Sequence, residues 1–429
     1  MIAHPVLKKF TFVTLLALIT AELFYFYISM LKASVGTLSA LLIRDYGMTV
    51  PDLSMMVSVF YIVALLLKVP VGVLVDYYGP KYPLIIVILL CALGAFVFSQ
   101  ASSLIAFIGS RSLMAIGYSC ALLATVKIFV KYVPRRLYAF LIGTTLFCGY
   151  LGSSFAGYPL AKLTGMFHYN HIFIGISIIG VTLAIVLFTS LENDEPSIAT
   201  EKRTLFAASK QTFLLLKNPQ IILLSLFTGI LVSGAICIAD LWGKLYLVKV
   251  FSMNNNSAAF VSTTMIYLGI SVGSFVWGII QSVFRCGRFT LFSIAIITAL
   301  SSLSFFLMGD ASVIVLACLG FILGSLSAAK VICYDLVRSL VGYKNLAAIV
   351  GILAMSVTGM GGIIQLFIGF VFYLVKGFFG DANISYNITI ITIPVILLIA
   401  AVLALFIKVQ PLQNDGQSDG SELMDDKRI

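Results

Sequence analysis

The sequence predicts an all-α membrane protein of twelve transmembrane helices arranged as two six-helix bundles. Three observations lead there. The 429-residue chain is 61% hydrophobic, with a mean hydropathy of +1.10. Only 10% of it is Asp, Glu, Lys or Arg, against about a quarter in a soluble domain, too little charge to wet the surface of so much apolar material. Its apolar residues also fall in runs that match the ~20-residue helix needed to cross a bilayer.

Those runs lie at 9–31, 53–75, 83–101, 103–126, 137–160, 172–191, 219–241, 257–280, 290–308, 311–333, 346–375 and 384–407. The first is too long for a signal-peptide core and lacks a small-residue cleavage pattern, so it reads as a mature helix. The third and fourth are parted only by a few small polar residues at 101–103. The eleventh is long enough to tilt, or to break around Gly359-Met360-Gly361-Gly362. Eighteen Lys and Arg fall in loops on one side, among them Lys8, Lys81, Arg135, Arg136 and Arg288. Five fall on the other: Arg44, Lys162, Lys244, Lys249 and Lys376. The positive-inside rule then places both termini in the cytoplasm, which requires an even number of spans.

The longest polar interval, Glu192 to Asn218, has six runs on either side. It divides the chain into a bundle at 1–191, a cytoplasmic linker at 192–217 and a bundle at 218–408. The linker carries a short amphipathic piece near 204–216, and a disordered polar tail fills 409–429. The formal charge of +10 is scattered between spans, where topology accounts for it; no nucleic-acid partner is expected. The seven cysteines lie in or beside apolar runs with no CxxC pair, as packing residues do. His168 and His171 have HxxH spacing but no further ligand nearby, a weak metal signal. No cofactor is expected. Without a P-loop or a nucleophile–base arrangement, neither ATP-driven transport nor an enzyme is indicated.

The hairpin after the second run reads Pro70-Val71-Gly72-Val73-Leu74-Val75-Asp76-Tyr77-Tyr78-Gly79-Pro80-Lys81. Gly72 allows close helix packing, Gly79-Pro80 forces a turn, and Asp76 can accept from a neighbouring helix N-terminus. This stretch resembles the G-x-L-x-D-x-x-G-R-[KR] loop of the major facilitator superfamily, with Pro80 at the first basic position and Lys81 at the second. A degenerate copy runs from Gly278 through Ser282 and Arg285 to Gly287-Arg288, with Ser282 where the acid would be. Arg111 followed by Gly117 is similar to the family's fourth-helix pattern. Together with Leu241-Trp242-Gly243-Lys244-Leu245-Tyr246-Leu247, the hairpin also resembles phagosomal nutrient transporters of intracellular gamma-proteobacteria, some of which import amino acids. The resemblance implies two bundles rocking about a central site lined by helices one, four, seven and ten. It implies gating by Gly72, Asp76, Lys81, Arg285 and Arg288, with Asp76 carrying more of the latch because Ser282 carries no charge.

Ionisable residues inside spans are costly and face a cavity or a partner. Glu22 and Arg111 lie about 20 Å and 12 Å from opposite ends of their runs, near one depth in a ~30 Å core. A pair between them would be either a permanent bridge or a proton-coupling site, with Arg111 free to meet a substrate carboxylate. Lys68 either snorkels or gates, and Lys32 reads as a boundary charge. Asp240 and Lys244 have i,i+4 spacing, suited to a local pair or an outer gate. Lys330 and Asp335 would be the counterpart at the other end, with Lys330 the deeper anion contact. Tyr25, Tyr118 and Gln365 are candidates to complete a substrate site. Gly149, Ser153 and Gly157, then Gly269 and Gly273, then Gly320 and Gly324, are spaced for close helix approach, and the family resemblance implies that the first two sets lie between the halves.

The expected function is secondary active transport: proton-coupled import of a small polar metabolite, such as an amino acid, by alternating access. Its partners would be that solute, protons and the lipid bilayer, with a monomer sufficient. Helix five, Gly149 to Gly157, lacks the Gly-Pro of proton-antiporting exporters, which weighs against export of an amphipathic compound or siderophore. The charges at 22, 111 and 330 weigh against a non-transporting sensor or scaffold.

Overall fold

The structure, a computed structural model, describes residues 12–133, 138–192, 217–284, 286–308, 311–341 and 346–408. Within them the chain forms twelve helical spans. The first half holds α1 (Phe12–Tyr46), α2 (Val50–Tyr78), α3 (Lys81–Gln100), α4 (Leu104–Tyr132), α5 (Tyr138–Phe155 continued by Tyr158–Met166) and α6 (Tyr169–Ser190). The second holds α7 (Pro219–Lys249), α8 (Asn255–Phe284), α9 (Arg288–Leu307), α10 (Val313–Ser327 continued by Lys330–Val341), α11 (Leu346–Phe379) and α12 (Ala382–Leu405). Eleven are long and apolar enough to cross a bilayer. The remaining one, α5, is interrupted at Ala156-Gly157, just before Pro159.

The punctuation in the sequence becomes caps. Thr49 and Asp52 form a capping box at the start of α2, with Pro51 in its first turn. Gly79 ends α2 at φ +76°, in the left-handed region where a side chain would be strained. Ser103, Asn218, Ser312 and Asp381 cap α4, α7, α10 and α12 with side-chain oxygens. The 101–103 boundary is therefore real: three residues suffice because Ser103 begins the next helix at once.

Two boundaries differ from the sequence reading. Helix α1 does not end near residue 31 but runs to Tyr46. Lys32, Ser34, Thr37 and Ser39, which look like a polar boundary, are all buried against other helices. Helix α11 is continuous through Gly359–Gly362, whose small faces admit Leu65, Tyr61 and Ile62 of α2. The expected linker at 192–217, apart from its first and last residues, and the tail at 409–429 lie outside the described residues, as does Arg285.

Each half repeats one packing scheme. Helix α2 packs on α4 as α8 packs on α10, α3 on α6 as α9 on α12, and α1 on α5 as α7 on α11. The halves meet through α2 with α11, α5 with α8, and α1 with the Ile238–Trp242 turn of α7. Large apolar side chains such as Ile105, Phe284 and Phe378 point outward, 75–85% exposed, with lipid as the solvent that satisfies them.

The glycine spacings serve helix approach, but mostly within a half. A Cβ on Gly149 or Gly152 would strike Tyr25 or the carbonyl of Phe26 on α1, and one on Gly269 or Gly324 would strike backbone across the α8–α10 contact. Gly157 alone of these crosses between halves, against Thr264 and Ala259 of α8. The expectation that the α5 and α8 glycines form the moving surface is corrected accordingly. Gly72 meets only Leu123, at 3.5 Å, an ordinary contact, so close packing does not require a glycine there. Gly324→Val should therefore lower the stability of the detergent-purified protein by roughly 1–3 kcal/mol, the usual cost of overpacking, with the melting temperature as the measurement.

Candidate functional site

The ends of the helices away from the chain termini, here called the distal end, are closed by backbone meeting backbone. Gly36 of α1 lies against the Asp240 carbonyl of α7 so tightly that a Cβ there would sit 2.2 Å from it. The Lys244 ammonium donates to the Thr37 carbonyl at 2.5 Å. The Ser154 hydroxyl donates to the Thr264 carbonyl at 3.2 Å, and the Tyr158 N–H to the Thr264 hydroxyl at 2.8 Å. Ser54 of α2 donates to the Gln365 carbonyl of α11 at 2.5 Å. Towards the termini, α10 from Lys330 onward packs on α7, α8 and α11 of its own half.

Just inside this closure sits a cluster drawn from both halves. Asp240 lies in a five-residue π turn, Ile238–Trp242, where the helix widens and turns the carboxylate inward. Its Oδ2 accepts from the Tyr61 hydroxyl of α2 at 2.5 Å, and its Oδ1 from the Tyr267 hydroxyl of α8 in a short contact. Lys32 Nζ lies over the rings of Tyr267 at 4.7 Å and of Tyr61 and Tyr118 at 5.9 Å. Tyr118 stacks on Tyr25 at 6.5 Å, and Tyr150 stacks on Tyr267 at 6.3 Å. Lys330 Nζ meets the Tyr150 hydroxyl and lies 4.5 Å from that ring's centre. Asp240, Tyr61, Tyr267 and Lys32 are nine to fourteen residues from the distal ends of their helices, about 14–21 Å deep at 1.5 Å per residue.

Several sequence-predicted residues meet here, namely Tyr25, Tyr118, Lys330 and Asp240. Others are placed elsewhere. The Glu22–Arg111 pair does not form. Arg111 is fully buried and donates to the carbonyls of Leu31 (2.7 Å), Lys32 (2.9 Å) and Met56 (3.5 Å), with its guanidinium 4.5 Å over Phe60. It ties α4 to α1 and α2. Glu22 lies nine residues before Leu31, about 14 Å down α1, and accepts from Thr145 at 2.7 Å and Thr144 at 3.3 Å on α5. The depth estimate failed because α1 extends fifteen residues past its predicted end, which moves Glu22 into the half nearer the termini.

The Asp240–Lys244 pair is also absent. A π turn has more than four residues per turn, so the i,i+4 positions no longer share a face, and the two side chains go to different partners. Asp335 accepts from the Gln281 amide at 2.8 Å rather than pairing with Lys330. Among the described residues the one ion pair within 4 Å is Arg44–Asp45, exposed at the distal end. Lys81 is buried within the first half, 5.0 Å over Phe188, and Arg288 lies over its neighbour Phe289; among the described residues neither bridges the halves. The Asp76 side chain lies outside the described part of α2. Gln365 is fully buried; its amide reaches the Cys237 carbonyl at 3.5 Å while its Oε1 has no partner among the described residues, so it borders α7 beside the cluster rather than within it. Lys68 neither snorkels nor stays free: it donates to the Ala354 carbonyl (3.1 Å) and the Thr358 hydroxyl (2.5 Å), joining α2 to α11.

Sequence reasoning missed Tyr61, Tyr150 and Tyr267, and took Lys32 for a boundary charge. A lone tyrosine in an apolar run carries no signal separating packing from function. The lysine fourteen residues inside a helix was legible only once that helix's end was known.

Two six-helix halves that meet around buried, opposite charges at mid-depth, closed at one end, define a membrane transporter. The chain belongs to the Major Facilitator Superfamily, whose family model matches residues 11–366. It is 25% identical over 172 residues to the 4-hydroxybenzoate transporter PcaK of Pseudomonas aeruginosa, a match covering 40% of this chain and 38% of that protein's length. Its fold is similar to that of a bacterial homologue of the human lysosomal transporter Spinster in an inward-facing, occupied conformation. That match has a TM-score of 0.75 at 14% identity and covers 90% of this chain and 95% of the other. It is similarly close to the nucleoside transporter NupG, with TM-score 0.74 at 15% identity, covering 91% and 99%. At these identities the likeness concerns the fold.

Arg111→Lys tests the structural assignment of that side chain. One ammonium cannot reach three carbonyls on two helices, and each hydrogen bond to a buried charge that is lost costs about 1.5–3 kcal/mol. The variant should melt at lower temperature, whereas a residue serving substrate alone would lose transport with its melting temperature unchanged.

Proposed function

We propose that this transporter carries a small carboxylate-bearing metabolite across a bacterial inner membrane by alternating access, importing it with protons. One observation carries the reading. The interface between the halves presents two buried ammonium groups, Lys32 and Lys330, and one carboxylate, Asp240, among the rings of Tyr25, Tyr61, Tyr118, Tyr150 and Tyr267. Neither lysine has a carboxylate within 4 Å among the described residues. Buried cations that outnumber buried anions attract an anion, and a bound carboxylate would complete the charge. The rings offer flat apolar faces to the remainder of such a solute, and an amino acid would set its ammonium towards Asp240.

The positive-inside distribution supports cytoplasmic termini, and on that reading the closed distal end faces outward. In this state the solute would leave towards the cytoplasm between α4 and α10. To load it, Gly36 and Asp240 must separate, with the Lys244–Thr37 and Ser154–Thr264 contacts, while the ends near the termini come together. The named substrate of the Pseudomonas relative is itself a carboxylate on a ring, which agrees with a site of lysines and tyrosines.

The test is uptake into liposomes of two isotope-labelled pools, amino acids and aromatic acids, with and without an inward proton gradient. Gradient-dependent accumulation of either pool is expected. Lys32→Met and Lys330→Met should each lower it by roughly tenfold or more, as removal of a buried charged partner does. Folded protein that accumulates neither pool, yet moves an uncharged solute, would reject the carboxylate reading.

A further inference from the structure

Two acids lie within the described spans near the interface, and they differ in what they join. Glu22 accepts from Thr144 and Thr145 and lies in hydrogen-bonding reach of Cys148, all on α5, a helix of its own half. If the halves move as bodies, those contacts are the same whichever end is open. A proton can shift a conformational equilibrium only if it binds one state more tightly than the other. The hydrogen bonds of Glu22 therefore give its protonation no lever on the distal closure.

Asp240 does. Its carboxylate accepts from Tyr61 in the first half and Tyr267 in the second, and its own carbonyl rests on Gly36 of α1. The charged and titratable groups around it come from every neighbouring helix: Lys32 of α1, Tyr61 of α2, Arg111 and Tyr118 of α4, Tyr267 of α8, and Cys237 on its own helix. Arg111 is committed to carbonyls and Lys244 to Thr37, which leaves Lys32 as the cation without a hydrogen bond among the described residues.

The geometry points to Asp240 as the proton-carrying residue of the transport cycle, with Tyr61 as the positioning residue that makes its protonation felt by the distal closure. A proton arriving on Oδ2 turns that oxygen into a hydroxyl and removes the charge that assists the Tyr61 bond, the side-chain bond by which the carboxylate holds the other half. It also leaves Lys32 without an anion in the cluster, so a solute carboxylate is bound best when the proton is present. Proton and anion thereby travel together. When both leave, the ionised carboxylate again accepts from both tyrosines. This assignment rests on the alternating-access reading of the two halves but not on the identity of the solute.

The test needs no substrate. The chain has two tryptophans, and Trp242 lies two residues from Asp240 in the same π turn, fully buried beside Phe372. In full-length Trp277→Phe protein, Trp242 emission followed from acid to alkaline pH should show a step that belongs to Asp240. Asp240→Asn should abolish it, Glu22→Gln should leave it, and Tyr61→Phe should displace its midpoint by about one pH unit or more, the scale of a charge-assisted hydrogen bond. Should Asp240→Asn fail to fold, Tyr61→Phe decides. No titration in the parent, persistence in Asp240→Asn, loss in Glu22→Gln, or an unmoved midpoint in Tyr61→Phe would each overturn the assignment. A chain that titrates as expected but transports no carboxylate would keep this inference and discard only the substrate class.

Discussion

The structure turns on one contact, where the backbone of α1 at Gly36 touches the widened turn of α7 at Asp240. Two helices from different halves can approach this closely only where one lacks a side chain and the other bulges toward it. The approach places the Asp240 carboxylate within reach of Tyr61, so a polar group inside the bilayer gains its partner from the opposite half. In hydrocarbon no water could replace that partner, so the bond is a condition of the closed state rather than an ornament on it.

The other buried cations follow the same logic in different ways. Arg111, Lys68 and Lys244 are each satisfied by main-chain carbonyls, with a hydroxyl added for Lys68, on a neighbouring helix. A guanidinium with its planar fork of donors suits α4, which must hold two helices at once, whereas single ammonium groups join single pairs. Lys32 and Lys330 stand apart because their neighbours are tyrosines rather than carbonyls. Aromatic faces attract a cation less strongly than an anion does, and they leave such a cation available. The chain therefore separates cations that hold helices together from cations held ready at the interface, and only their surroundings tell the two sorts apart.

Much of the fold was legible because the bilayer imposes a coarse rule. Runs of about twenty apolar residues must be helices, and short breaks such as Ser103 or Gly79-Pro80 can only be turns. The hairpin at 70–81 and the Arg111 pattern carried the family. The failures share one cause: a depth along a helix was estimated from where its apolar run stopped. Helix α1 goes on as helix through Lys32, Ser34 and Thr37 because the second half, rather than lipid or water, lies against them. That single error moved Glu22, invented its pair with Arg111 and demoted Lys32. The π turn undid the i,i+4 argument at Asp240 and Lys244, since spacing predicts proximity only for the helix type assumed.

By itself, the sequence determined that the chain lies in a membrane, the number and order of its helices, the family, and the residue types available for chemistry at mid-depth. These depend on composition and on local turns, which act over a few neighbouring residues. The tertiary structure alone decided which charges are spent on carbonyls, which tyrosines face the interface, and which acid joins the halves. Those outcomes arise where helices far apart in the chain meet, and a partner contributed from 179 positions away, as Tyr61 is to Asp240, leaves no mark on the local pattern of either helix.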